Sequence, residues 1–429
     1  MSSTIGEPIT GLPEAESESP EQRHNFLTLA WYQIVLRVGW IFKTESVIVP
    51  AALDSLGANG WVRGFLPVLS RFGQSIPPLL IWPRIRQARL QKYWLVGSTM
   101  VMSLTFAAVA GIWLTGLSAS GTTAQIVFLV LYALFFVATG IHQLVVSTLI
   151  GKLIPVRRRG YLMLVSYTRG AAFSIFLAWL LLQQWLRPGV VDFMPIFCVS
   201  AFCFFSSALI GFLLREPPAP STTTGHRVAG GQIVTGLVET WLADRPFRRV
   251  MLIGGLFSMS LALFPHYQNL ARTRLDAGFP DLLPWLIAQN AGVALFSIPL
   301  GWLADRFGYR MVLRCGLVLL ALAPALALWF ANGPGPGRSG FIVVYFLLGL
   351  TPVTMRVLSN FSLEFAAPVD HPRYLAALTM SMALPVILTS PFLGGMIDLW
   401  GFGPVFGIGI GCLMAAWCLS FSVSEPRHR

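Results

Sequence analysis

A chain of 429 residues that is 55% apolar and only 11% charged is not an ordinary water-soluble protein, in which about 25% of residues carry charge. Its net charge of +12 does not point to nucleic acid either. That reading needs cations clustered on a solvated face, whereas here they fall in short stretches between apolar runs. The lipid bilayer is the expected partner of most of the chain.

A membrane span needs about 20 apolar residues to cross roughly 30 Å of hydrocarbon. Residues 1–25 form a polar, acidic segment expected to be a disordered cytoplasmic tail and not a signal peptide. Six spans follow in residues 26–214: Phe26 to Leu53, Trp61 to Trp82, Tyr93 to Leu117, Thr123 to Ile150, Tyr161 to Trp185 and Phe193 to Leu214. Residues 215–249, with Pro217, Pro218, Pro220 and the run Ser221 to Gly225, read as a cytoplasmic linker. Six more spans occupy residues 250–423: Val250 to Leu270, Leu282 to Ala304, Met311 to Ala331, Phe341 to Leu363, Leu375 to Asp398 and Pro404 to Val423. Residues 424–429 form a short cytoplasmic tail. The expected fold is all-α and polytopic, with twelve transmembrane helices in two pseudo-symmetric six-helix halves.

Lys and Arg set the orientation. Twenty lie in segments on the side of the two termini, and five, Arg63, Arg187, Arg272, Arg274 and Arg338, lie on the other. The bias predicts cytoplasmic termini and an integral protein of a plasma (inner) membrane. The five cysteines sit in or beside apolar runs without C-x-x-C spacing and read as packing residues. No cofactor or metal is expected.

The halves also read as copies. At one constant offset Tyr132, Leu134, Pro155, Val156, Tyr161 and Leu162 meet Tyr345, Leu347, Pro368, Val369, Tyr374 and Leu375 without a gap. Ser75-Ile76-Pro77 matches Ser297-Ile298-Pro299, and Glu216-Pro217 matches Glu425-Pro426. Span 4 therefore corresponds to span 10.

Between spans 8 and 9 runs Gly301-Trp302-Leu303-Ala304-Asp305-Arg306-Phe307-Gly308-Tyr309-Arg310. It reads as a tight turn in which Gly301 allows close helix approach and Gly308 allows a bend that a side chain would oppose. This G-x-L-A-D-R-x-G-x-R spacing resembles the loop motif of the major facilitator superfamily of transporters, which lies between helices 2 and 3 and again between helices 8 and 9. In the first half the corresponding loop reads Ile81-Trp82-Pro83-Arg84-Ile85-Arg86, with Pro83 in place of Asp305, and Gly151 stands opposite Glu364. The resemblance implies that Asp305 caps a helix of the opposite half near Gly160 and Tyr161, and that Arg306 or Arg310 pairs with Glu364. Such a latch would form only with the cytoplasmic side closed, and its helix cap is worth about 0.3 to 2 kcal/mol.

Five cations lie well inside spans: Arg37, Lys43, Arg71, Arg169 and Arg356, against the single acid Glu45. A charge near the bilayer centre costs about 2.5 to 3.5 kcal/mol on insertion scales, so each should face a partner or a watery cavity. Depth counted at roughly 1.5 Å per residue pairs Glu45 with Arg71, with Lys43 nearby. Arg356 falls near mid-membrane, and its repeat counterpart is Gln143, beside His142. With Tyr167, Gln289, Asn290, Thr354, Ser359 and Asn360, these residues are the candidate lining of a substrate cavity.

The excess of arginine suits a carboxylate or phosphate, so a small organic anion is the candidate substrate. Sugar or drug transport fits the aromatic content equally. Protons are a candidate coupling ion through Glu45 or His142, with passive or exchange transport as the alternative. No G-x-x-x-x-G-K-S/T, H-E-x-x-H or G-x-S-x-G motif occurs, which argues against ATP drive and against an enzyme. The expected activity is secondary or facilitative transport by alternating access, with a non-transporting sensor or binding protein as the rival.

Overall fold

The computed structural model describes residues 19–187, 190–218, 239–242, 244–333, 336–366 and 370–423. Every expected span coincides with a helix or a pair of helical pieces. We number them α1 (Pro20–Phe42, resuming at Ile48–Ser55), α2 (Gly60–Gln87), α3 (Lys92–Leu114), α4 (Thr122–Leu153), α5 (Val156–Trp185) and α6 (Phe193–Phe212). The second set is α7 (Arg245–Ala262, resuming at Phe264–Leu275), α8 (Leu282–Phe307), α9 (Tyr309–Asn332), α10 (Phe341–Leu348, resuming at Leu350–Leu363), α11 (His371–Trp400) and α12 (Phe402–Ser420). Ten of the twelve spans are long and apolar enough to cross a membrane among the described residues. The other two carry polar residues and prolines along their length, α1 with Glu21, Arg23, Gln33 and Arg37, and α2 with four arginines and four internal prolines. Residues 245–249, expected in the linker, form the first turns of α7, capped by the Asp244 carboxylate accepting from Phe247 N at 2.9 Å. A two-residue antiparallel ladder, Leu186 opposite Val191, joins α5 to α6.

Three spans are interrupted, and a proline stands shortly after each interruption: Pro50 in α1, Pro265 in α7 and Pro352 in α10. Proline has no N–H to give the carbonyl four residues earlier. In α1 that carbonyl belongs to Ser46, and it accepts Tyr345 Oη of the other half at 3.3 Å instead. Thr44 O takes the orphan donors of the resumed helix, Ile48 N and Val49 N, each at 3.1 Å.

The repeat is visible in the packing. Tyr132 of α4 and Tyr345 of α10 are both buried. At the face carrying the termini, Tyr161 stacks on Phe26 with ring centres 5.8 Å apart, and Tyr374 packs on Phe247 at 4.4 Å. Cations close the carbonyl ends of the last helix of each half: Lys92 Nζ donates to Leu214 O at 2.9 Å, and Arg314 donates to Ser420 O at 3.3 Å. Glu216 gathers the first half at this face, accepting from Lys92 N at 2.7 Å and Lys152 Nζ at 2.8 Å while only 8% exposed. Glu425, its sequence counterpart, lies outside the described residues. Glu216→Ala is expected to cost about 1–3 kcal/mol, because it strands a helix N-terminal donor, and to show as a lower Tm in detergent.

At the opposite face the halves are sealed. α2 and α11 approach so closely that a Cβ on Gly60 would lie 2.1 Å from Gly394 O. Asp398 of α11 caps the start of α2, accepting from Gly60 N at 2.8 and 3.0 Å. Asp54 pairs with Arg63 and reaches across to Gln268 Nε2 at 2.8 Å and Arg272 Nη1 at 3.6 Å. Phe193 meets Phe279 edge to face at 5.8 Å.

Candidate functional site

Between the halves lies a cavity of about 900 Å³, within the range of small-ligand sites. Its walls come from α1 (Gln33, Arg37 and Lys43 to Ser46), α2 (Arg71), α4 (His142, Gln143, Ser147), α5 (Tyr167), α7 (Phe264, Pro265), α8 (Gln289, Asn290) and α10 (Met355, Arg356). Gln143, Ser147, Tyr167 and Arg356 are exposed although they sit within helices and line the cavity. With the far ends sealed, the cavity opens toward the face that carries the termini.

The interruption of α1 sets the charges. Residues two apart on a continuous helix face different sides. Beyond Phe42 the chain leaves the helix, and Glu45 turns back to accept from Lys43 Nζ at 3.2 Å. The expected Glu45–Arg71 ion pair is therefore replaced by Lys43–Glu45, because depth counting assumed an unbroken helix. Lys43 is 1% exposed, its ammonium 3.7 Å from the Trp40 ring centre and 4.5 Å from that of Phe136. Aromatic faces stabilise a desolvated cation. Ser46 Oγ donates to Gln289 Oε1 at 2.5 Å and ties the interruption to α8.

Arg37, Arg71 and Arg356 also line the cavity and make no ion pair among the described residues. Arg37 of α1 and Arg356 of α10 come from opposite halves and share one aromatic ring, Tyr167, at 5.8 and 5.1 Å from its centre. Arg37 Nε is buried with no acceptor, as is Gln33 Nε2 one turn away. Cations against one ring, with unfilled donors beside them, form a surface that an acceptor-rich ligand would complete.

Two expected residues fall elsewhere: Arg169 and Asn360 are exposed and do not line the cavity, because depth along a helix does not determine which side a residue faces. Thr354 is buried, beside Gly316 of α9. Asn290 lines the cavity but spends its amide donor on Leu286 O at 2.9 Å. His142 lines it with Nδ1 turned away, 3.0 Å from Tyr32 Oη.

At the motif, Gly308 has φ 82, so the bend does use a conformation that side chains oppose. Gly301 has nothing within 4 Å of where its Cβ would be and makes no close helix approach here. Arg306 lies over the rings of Trp302 and Phe307 at 5.4 and 5.6 Å, and Arg310 donates to Val423 O at 3.4 Å. Glu364 is the C-cap residue of α10. The side chain of Asp305 lies outside the described residues, so its expected contact with α5 does too. The sealing residues Asp54, Gly60, Gln268, Gly394 and Asp398 were not anticipated. Their signal was the spacing of Gly60 and Gly64 and the pair Gly394-Gly395, small residues that let helix backbones meet.

Twelve helical spans in two related halves surround a polar cavity. Residues 273–429 match the sequence profile described as the Major Facilitator Superfamily. Solved transporters share the fold across nearly the whole chain. A mutant nucleoside transporter NupG superposes with a TM-score of 0.73 at 11% identity, covering 93% of this chain and 99% of its own. A D-xylose-proton symporter gives 0.70 at 12%, covering 94% and 99%. The human organic anion transporter MFSD10 (TETRAN) gives 0.60 at 15%, covering 94% and 100%. No curated protein matches the chain in sequence.

Proposed function

We propose that this protein is a secondary transporter that carries a small organic anion across a plasma membrane by alternating access. The observation that carries the reading is the charge of the cavity wall: Arg37, Lys43, Arg71 and Arg356 against Glu45 alone, with Lys43 already neutralised by that acid. Arg37 and Arg71 are partly buried without an ion pair among the described residues, which is costly unless an anion visits them, and Arg356 presents a third guanidinium to the same cavity. The guanidinium plane suits carboxylate or phosphate in two parallel hydrogen bonds.

Arg37 and Arg356 belong to different halves, so an anion held by both draws the halves together over it. With cytoplasmic termini the structure is the inward-open state. Release of the seal at Gly60, Asp398 and Asp54, together with closure near Asp305, Arg310 and Glu364, would turn the site outward. A ligand drives such an exchange only through unequal affinity for the two states.

The test is flux from liposomes containing the purified protein and loaded with labelled malate, succinate, glycerol 3-phosphate or phosphate. Protein-dependent efflux of at least one anion, lost in Arg356→Ala, supports the reading. Tight binding without flux would identify a sensor instead. Flux confined to neutral sugars would make the arginines structural.

A further inference from the structure

The charged groups on the cavity wall are cationic donors apart from Glu45, whose carboxylate already accepts from Lys43, and His142 adds an uncharged acceptor. Its Nδ1 lies 3.0 Å from Tyr32 Oη, which lies 2.6 Å from Thr99 Oγ1, which lies 2.8 Å from the carbonyl of Leu95. Three contacts share three hydrogens, one each from the imidazole, the phenol and the threonine hydroxyl. Leu95 O can only accept, so the Thr99 hydrogen points to it. Thr99 Oγ1 then accepts from Tyr32, and Tyr32 Oη accepts from His142 Nδ1–H. Any other assignment leaves one of these short contacts without a hydrogen.

The neutral ring is thereby held with its proton on Nδ1, and Nε2 keeps a lone pair. The ring is buried, lines the cavity and has no partner at Nε2 among the described residues. The amides of Gln33 and Gln143 can present either end, whereas the His142 acceptor is fixed. His142 and Arg37 line the same cavity, from α4 and α1 respectively.

Resting on the anion reading above, we propose that His142 Nε2 is a specificity-determining acceptor for a hydroxyl or N–H group of the substrate. The substrate class is then a small organic anion that also carries such a donor. A donor-free anion would leave Nε2 desolvated and unpaired.

The experiment compares dissociation constants of malate against succinate, and of glycerol 3-phosphate against propyl phosphate, for the purified protein in detergent. Each pair differs in hydroxyl content and shares its anionic groups. His142→Asn can keep a donor toward Tyr32 but lacks an atom at the Nε2 position, so it tests the acceptor with the structural bond retained. His142→Gln can place an amide oxygen near that level. The expected result is about a tenfold or greater preference for the hydroxylated member, abolished in His142→Asn, partly restored in His142→Gln, and accompanied in Arg356→Ala by loss of affinity for both members. Equal binding of both members, or a preference that survives His142→Asn, would overturn the assignment and leave the anion reading standing. Failure of all four anions to bind the folded wild-type protein would overturn both.

Discussion

Arg37→Ala and Arg356→Ala are each expected to raise the KM for anion flux by about 30-fold or more. Removing one partner of a desolvated charge pair costs about 2–5 kcal/mol, and roughly 1.4 kcal/mol is tenfold. The loss should be larger at Arg37, whose Nε is buried without an acceptor, than at Arg356, which is exposed to the cavity solvent and better screened. Arg356→Lys keeps the charge and loses the planar fork, so it should recover only part of the affinity. Arg169→Ala is the control. Its arginine is exposed and lies outside the cavity lining, so KM should stay unchanged, and an equal rise there would mean that arginine acts through membrane insertion rather than through the site.

The second large effect is expected at the seal. A methyl group on Gly60 would lie 2.1 Å from the carbonyl oxygen of Gly394, and one on Gly394 would lie 1.9 Å from that of Gly60. Neither obstacle is a side chain that can turn away, so α2 and α11 must separate. Overpacking of this kind costs about 1–3 kcal/mol, and the whole cost falls on the state with the far face closed. Gly60→Ala should therefore shift the population toward the opposite state by roughly 5- to 150-fold. Hydrogen exchange should speed up at the far ends of α2 and α11 and slow at the ends near the termini, with flux reduced. Unchanged exchange at both ends would mean that the seal does not set the conformational balance.

Hydropathy located the twelve spans because bilayer thickness dictates their length, and all twelve coincide with helices or helix pairs. Tyr132 and Tyr345 marked the repeat because both are buried landmarks in a background of leucine. The interruptions escaped notice for a physical reason. A hydropathy window averages over a gap as short as Lys43 to Val47, and proline is common inside membrane helices whose neighbours satisfy the freed carbonyl, as Tyr345 does for Ser46. With α1 assumed continuous, depth joined Glu45 to Arg71 and placed Lys43 nearby, whereas Lys43 is the direct partner. Depth also placed Arg169 and Asn360 at useful levels, yet both are exposed outside the cavity. The seal joins residues as far apart as Gly60 and Asp398, and no local pattern records such a pairing.

The most direct test of the central claim, that the cavity is an anion site, is thermal unfolding of the purified protein in detergent against organic anions, neutral sugars and cationic amphiphiles. A ligand bound only by the folded state raises Tm by mass action, with about 2.7 kcal/mol of stabilisation at a hundred times its Kd. The account predicts that at least one anion raises the Tm of the wild-type protein and that Arg37→Ala and Arg356→Ala lose this shift while still unfolding cooperatively. A Tm raised by sugars or cationic compounds alone, or an anion effect of equal size in both variants, would contradict it.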